Sequence, residues 1–281
     1  MGRITARRRV LRVHRDGTAD ARADLLAVEE PLEIRVDGRP LSVTMRTPGD
    51  DIELSLGFLV AEGIIASHED VVSAGFRGGE ALDVTLAEHV APPSDDLSRH
   101  VTTTSACGVC GKTLLAAVHT TSRFHPDIDP VRVSADFLLD LPDRLRAKQT
   151  AFDKTGGLHA AALFDARSGE LLVVREDVGR HNAVDKVVGW ALTEQRLPLT
   201  GTVLQVSGRA SFELVLKAAM AGIPVLSAVS APSSMAAELA VDHGITLAGF
   251  TRGDSLVLYA RQDRVVGPSP AEVADGPEPT R

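Results

Sequence analysis

Only two cysteines occur in the 281 residues, Cys107 and Cys110. Two are too few for a disulfide framework in a chain of this length, and a bridge between near neighbours would close a loop too small to restrain the unfolded chain by much. A reducing compartment is the expected setting. No apolar run approaches the roughly 20 residues that a membrane-spanning helix needs. The opening MGRITARRRVLRVHRDG carries Arg3, Arg7, Arg8, Arg9, Arg12 and Arg15 but no apolar core long enough for a signal peptide. An organellar transit segment is the rival reading, and the continuation into strand-like VLRV argues against it. Positive charge is not in surplus either: 30 Lys and Arg face 38 Asp and Glu, a formal net charge of -8. Nucleic acid and anionic membrane surfaces therefore have no global electrostatic support as partners, and any anionic ligand must be held locally. The expectation is a soluble, cytoplasmic protein.

The length and the 44% hydrophobic content fit a globular chain of roughly two domains. Residues 1–26 read as a basic N-terminal segment and residues 27–100 as a small α+β domain. In the latter, LEIRVDGRPLSVTM alternates around Asp37-Gly38 as a hairpin, and DDIELSLGFLVAEGII has helical spacing. Residues 101–130 read as a linker carrying the cysteines, followed by a helix, and a second helix begins at the N-cap candidate Ser134. From Thr155 the texture becomes strand, helix, strand, helix with apolar strands, which predicts an α/β sheet covered on both faces over 131–264. The Pro-rich residues 265–281 read as a disordered tail.

The pair in TTTSACGVCGKTLL admits several chemistries. Zinc would need two further ligands, for which His119 and His125 are placed, but the gap is shorter than in a zinc finger. A thioredoxin-like redox motif should open a helix in a βαβ unit, and this pair follows a polar linker. Gly111-Lys112-Thr113 resembles the end of a P-loop, but Ala106 stands where its first glycine belongs. Inert burial is the bland alternative. Against it, Gly108 and Gly111 let the backbone curl, and Lys112 beside a helix start favours thiolate, the property of a carrier.

A second concentration of chemistry lies at strand ends. REDVGRHNAVDK gathers Asp177, Arg180, His181, Asn182, Asp185 and Lys186 around Gly179 where a strand meets a helix. A capped, solvated helix start would explain it too. VSGRASFE places Ser207, Gly208 and Arg209 at another such junction, SAPSSMAAE offers Ser230, Ser233 and Ser234 at a third, and GFTRGDS puts Arg252 and Asp254 in a turn. Four such turns along one sheet edge point to a cleft for an extended anion such as a nucleotide.

The blocks SACGVCGKTLL, TGGLHAAAL, REDVGRHNAVDKVVG, SGRASFELVLKAAMAGIPVLSAVSAPSSMA and GITLAGFTRGD together resemble the FdhD family, the formate dehydrogenase accessory sulfurtransferases, from about Glu33 to Tyr259. The resemblance implies a cytoplasmic homodimer whose larger domain has a cytidine-deaminase-like α/β/α fold. It implies that a cysteine desulfurase loads sulfur as a persulfide, which passes to the molybdenum or tungsten bis(guanine dinucleotide) cofactor before insertion into the formate dehydrogenase catalytic subunit. That cofactor is a bound substrate, and none is permanently held. Cys107 is implied as the persulfide residue, Cys110 as its partner, and Phe250, Thr251, Arg252, Gly253, Asp254 and Ser255 as the guanine dinucleotide segment. Deaminase chemistry is not expected, because Ala161 stands in HAA where that chemistry needs Glu and no cysteine follows residue 110.

Overall fold

The computed structural model describes residues 3–93 and 122–267. Cys107 and Cys110, with Lys112 and His119, lie outside the described residues, as does the tail from residue 268.

The chain opens with an antiparallel ribbon, β1 (Thr5–Val13) and β2 (Ala19–Ala27), so the expected basic segment is folded as strands. Next come β3 (Glu30–Val36), β4 (Arg39–Arg46), α1 (Asp51–Ala61), β5 (Val71–Phe76) and β6 (Ala81–Leu86). These strands form a sheet of order β4-β3-β6-β5. In β3 the alternation buries Leu32, Ile34 and Val36, and the turn to β4 takes positive φ at both Asp37 (50°) and Gly38 (77°). That backbone twist is the one a tight two-residue hairpin requires.

The larger unit comprises β7 (Val133–Ser134), α2 (Ala135–Arg146), α3 (Thr150–Thr155), β8 (His159–Asp165), β9 (Leu171–Asp177), α4 (Arg180–Thr193), β10 (Thr202–Val206), α5 (Phe212–Met220), β11 (Val225–Ala228), α6 (Ser234–Asp242), β12 (Thr246–Arg252), β13 (Ser255–Ala260) and β14 (Val265–Val266). Ser134 caps α2 by accepting from Phe137 N at 3.1 Å. The six-stranded sheet runs β13-β12-β11-β10-β8-β9. β10, β11 and β12 are parallel, while β8 is antiparallel to both of its neighbours, so the carboxyl ends of β9, β10, β11 and β12 share one edge. Both faces are covered, as the apolar strands demand. Ala160, Ala162 and Phe164 of β8 face Leu138, Leu141 and Leu145 of α2, and Ala161 and Leu163 face the core containing α4 and α5. Val265 and Val266, expected to begin the tail, instead pair in parallel with Val133 and Ser134. Two apolar β-branched side chains beside a matching short strand suffice to hold them in register.

One hydrophobic cluster runs from Leu32 and Ile34 through Leu54, Leu59 and Val60 of α1 to Val184, Val187 and Val188 of α4 and on to Leu204 and Leu226. Packing is therefore continuous between residues 27–93 and the larger sheet. At the α1–α4 crossing the backbones touch: a methyl group on Gly57 would overlap the Asp185 carbonyl, and one on Gly189 would overlap that of Glu53. Among the described residues no helix is long and apolar enough to cross a membrane.

Gly57→Ala or Gly189→Ala should each lower stability by about 3 kcal/mol or more, since rigid backbone rather than a side-chain tip blocks the new methyl. Gly75→Ala in β5, where a Cβ meets nothing within 4 Å, should change it by less than about 1 kcal/mol. Urea unfolding of the three variants measures the contrast.

Candidate functional site at the carboxyl edge

Main-chain bonds knit the turns at this edge together. Ser230 N donates to Gly208 O (3.4 Å), Ser233 N to Ala210 O (3.1 Å) and Phe250 N to Ser230 O (3.3 Å). The Ser207, Ser230 and Phe250 turns are thus neighbours, as the strand order requires. Beside them a groove of about 630 Å³ opens between the sheet edge and α2–α3, with His159, Ser207 and Arg252 among its lining residues. This is where open α/β sheets hold ligands.

The groove and its rim are cationic. Arg209 and Arg252 are exposed and form no ion pair among the described residues, and the Arg252 guanidinium lies 5.9 Å from the centre of the exposed Phe250 ring. Phe250 itself holds a left-handed backbone (φ 49°), and Gly253 (φ 62°) turns the chain so that Asp254 and Ser255 face solvent. Half-buried Arg180 has its Nε enclosed without a partner. Ser207 Oγ accepts from Ala160 N at 2.9 Å, which leaves its O–H free to donate. Burial, with Arg180 adding to it and Asp177 opposing, holds His159 below its ordinary pKa, so a neutral imidazole lines the groove near neutral pH. Guanidinium groups unpaired among the described residues and a hydroxyl donor are suited to phosphate oxygens.

Several residues expected at this site serve the fold instead. Asp177 is fully buried: Oδ1 accepts from Gly179 N (2.8 Å) and Asn182 Nδ2 (2.9 Å), and Oδ2 from Thr47 N (3.1 Å) and Lys186 Nζ (2.8 Å). Asn182 also donates to Met45 O and accepts from Thr44 Oγ1. Lys186 completes its donors on Thr47 O and Glu176 O. The side chains of Asp177 and Asn182, expected at the ligand, are engaged instead in a knot tying the end of β4 to the start of α4. The reason is tertiary, because their partners lie about 130 positions upstream in sequence. His181 is buried with Nε2 3.1 Å from Ser211 Oγ and 3.7 Å from Glu213 Oε2, and burial keeps its pKa low. Thr251 is fully buried and its Oγ1 accepts from Ser227 Oγ at 3.1 Å, so its side chain faces the sheet. Ser233 caps α6 through Ala236 N (3.2 Å), the bland alternative for that turn. Asp185 pairs with Lys217 at 2.6 Å, and burial pushes its carboxyl up to about 6 against the pull of Lys217. His159 to Ala161 lies in a strand, and both alanines are buried, so no acid occupies that position.

The groove wall contributed by α2 and α3 was not apparent in the sequence. It depends on Glu176, whose carboxylate accepts from Ala151 N (2.9 Å) and Phe152 N (2.8 Å) and so pins the start of α3 against β9. Exposed His125 lies 3.7 Å from Asp127, and among the described residues no group of three or more His, Cys, Asp or Glu could hold a metal ion.

Residues 27–266 match the sequence model of the FdhD/NarQ family. The chain belongs to this family. It is 57% identical over 275 residues to the sulfur carrier protein FdhD of Streptomyces coelicolor, covering 94% of this chain and 97% of the relative. It is 43% identical over 251 residues to the sulfur carrier protein FdhD of Sulfolobus acidocaldarius, covering 89% and 95%. A crystal structure of a formate dehydrogenase accessory protein from Desulfotalea psychrophila superposes with a TM-score of 0.77 at 22% identity, over 94% of this chain and 100% of that one, which shows a shared fold. The family match spans both the β3–β6 sheet and the carboxyl-edge turns.

Removing one partner of the Asp177 knot leaves a buried charge without compensation. Lys186→Met should cost about 3–5 kcal/mol in urea unfolding. Glu213 offers a pH test. Burial opposes its ionisation, yet contacts with His181, its own N–H and Ser211 hold it down at about 2, against an ordinary 4.5. A depressed carboxyl stabilises the fold above its unfolded pKa and loses that contribution as pH falls. The stability gap between wild type and Glu213→Gln should be constant above 4.5 and close as pH drops toward 2, as read by denaturant midpoints at each pH.

Proposed function

We propose that this chain is a sulfur carrier that accepts persulfide sulfur from a cysteine desulfurase and delivers it to the molybdenum or tungsten bis(guanine dinucleotide) cofactor destined for formate dehydrogenase. The observation that carries this reading is the cationic carboxyl-edge groove in a chain whose family relatives bear the name sulfur carrier protein. Cys107 is the carrier. Its thiolate attacks the terminal sulfur of the donor persulfide, the donor's S–S bond breaks, and the desulfurase cysteine leaves as thiolate. Cys110 thiolate then attacks the inner sulfur of Cys107. A Cys107–Cys110 disulfide forms, and the outer sulfur departs with the electron pair as sulfide for the cofactor metal.

The cofactor is substrate here. Its phosphates are matched by Arg180, Arg209 and Arg252, by the Ser207 hydroxyl and by the Gly208 turn, while Ser230 and the Phe250 to Ser255 turn form the rim. A cytoplasmic homodimer with a cytidine-deaminase-like larger unit belongs to the same reading. The mixed sheet, with one internal strand antiparallel to its neighbours and helices on both faces, supports that architecture.

Intact mass measured without reductant, after incubation with a cysteine desulfurase and cysteine, tests the carrier role. Wild type and Cys110→Ala should gain the mass of one sulfur atom and Cys107→Ala should not. Sulfur on Cys107→Ala at the wild-type level would sink the assignment.

A further inference from the structure

Gln149 is a polar group in the groove that the fold does not use. The residue is 4% exposed and lines the groove together with His159, Ser207 and Arg252. Its main chain is engaged, with N–H donating to Arg146 O and C=O accepting from Asp153 N. Its side-chain carboxamide has no hydrogen-bond partner among the described residues, and its atoms are not among those sealed from solvent. Capping of α3 does not explain it, because Glu176 already accepts from Ala151 N and Phe152 N. A carboxamide carries one acceptor and two donors, and withdrawing them from water without partners is unfavourable. Native structures rarely keep such a group without a reason, and a ligand is one.

The surroundings specify the ligand. Leu145, Leu158, Phe152 and Val178 supply apolar walls, and the Phe152 ring carries the Arg146 guanidinium at 4.7 Å. A flat apolar face with a hydrogen-bonding floor suits a planar heterocycle rather than a sugar or a bare anion. Arg252 at the same groove, with Arg180 nearby, is placed for the phosphates attached to such a ring. Asp177, Asn182 and Asp185 are buried with partners of their own, and the carboxylates that do reach the groove or its rim, Asp143 and Asp254, are exposed to solvent rather than enclosed as Gln149 is.

We propose that Gln149 is the specificity-determining residue that hydrogen-bonds the edge of a heterocyclic base, one bearing adjacent carbonyl and N–H groups, as in a guanine or pterin ring. The assignment rests on the cofactor reading above and adds the group that recognises the ring. Isothermal titration of the full chain with GDP and, separately, with pyrophosphate tests it, for wild type, Gln149→Leu and Arg252→Ala. Wild type should bind GDP more tightly than pyrophosphate. Gln149→Leu should weaken GDP about ten- to hundredfold while leaving pyrophosphate unchanged, and Arg252→Ala should weaken both. Without ligand, Gln149→Leu should melt at or above the wild-type temperature, because an uncompensated buried amide is replaced by an apolar group. An unchanged ratio of GDP to pyrophosphate affinity in Gln149→Leu, or a marked fall in its melting temperature, would overturn the assignment alone. Wild-type chain that binds pyrophosphate as tightly as GDP would remove base recognition from this groove but keep the phosphate contacts. Wild-type chain that binds neither would overturn the cofactor reading and this assignment with it.

Discussion

The crossing of α1 and α4 has no room for a side chain at Gly57 or Gly189, and the placement of the functional edge follows from that contact. Each close approach sets a glycine against the backbone of the other helix, Gly57 against Asp185 and Gly189 against Glu53, and these two contacts fix the register and depth of the crossing. With α1 seated there, the small sheet is held against the large one through a shared core. The end of β4 is then carried to the point where β9 meets α4. Thr44, Met45 and Thr47 arrive as hydrogen-bond partners for Asn182 and Asp177, and the buried Asp177–Lys186 pair closes between them. A buried ion pair is a poor source of net stability, but one with every donor and acceptor filled fixes geometry firmly.

That rigidity separates two roles that a short motif appears to mix. In REDVGRHNAVDK, Asp177, Asn182, Asp185 and Lys186 turn inward, Arg175 makes a two-pronged pair with Glu53, and Glu176 reaches across to hold α3. The acids are neutralised within the protein. Among the described residues Arg180, Arg209 and Arg252 have no acidic partner in an ion pair, so a chain of net charge -8 presents a locally positive groove. Composition required any anionic ligand to be held by such local positive charge.

Much of this was legible from local pattern. The Asp37-Gly38 hairpin, the helix from Asp51, the Ser134 cap and the run of strands and helices after His159 follow from alternation, capping and turn residues, all of which act within a few positions of the chain. The sharing of one edge by the Ser207, Ser230 and Arg252 turns was likewise legible, because strand-helix-strand order constrains it. The basic start gave a weaker signal: it read as a basic segment with strand-like VLRV, while its pairing from Thr5 to Val13 with Ala27 to Ala19 as a ribbon was not foreseen.

The sequence by itself determined the chemistry available: a cysteine pair flanked by glycines, arginines at strand ends and a family pattern spanning residues 27–266. Tertiary structure decided which of those groups face the groove. Thr251 points into the sheet and Arg252 out of it because strand side chains alternate. Asp177 and Asn182 are withdrawn because their partners come from β4, and Gln149 enters the groove because Glu176 anchors α3 there. Those partnerships join residues far apart in the chain, and desolvation and hydrogen-bond saturation act on neighbours in space.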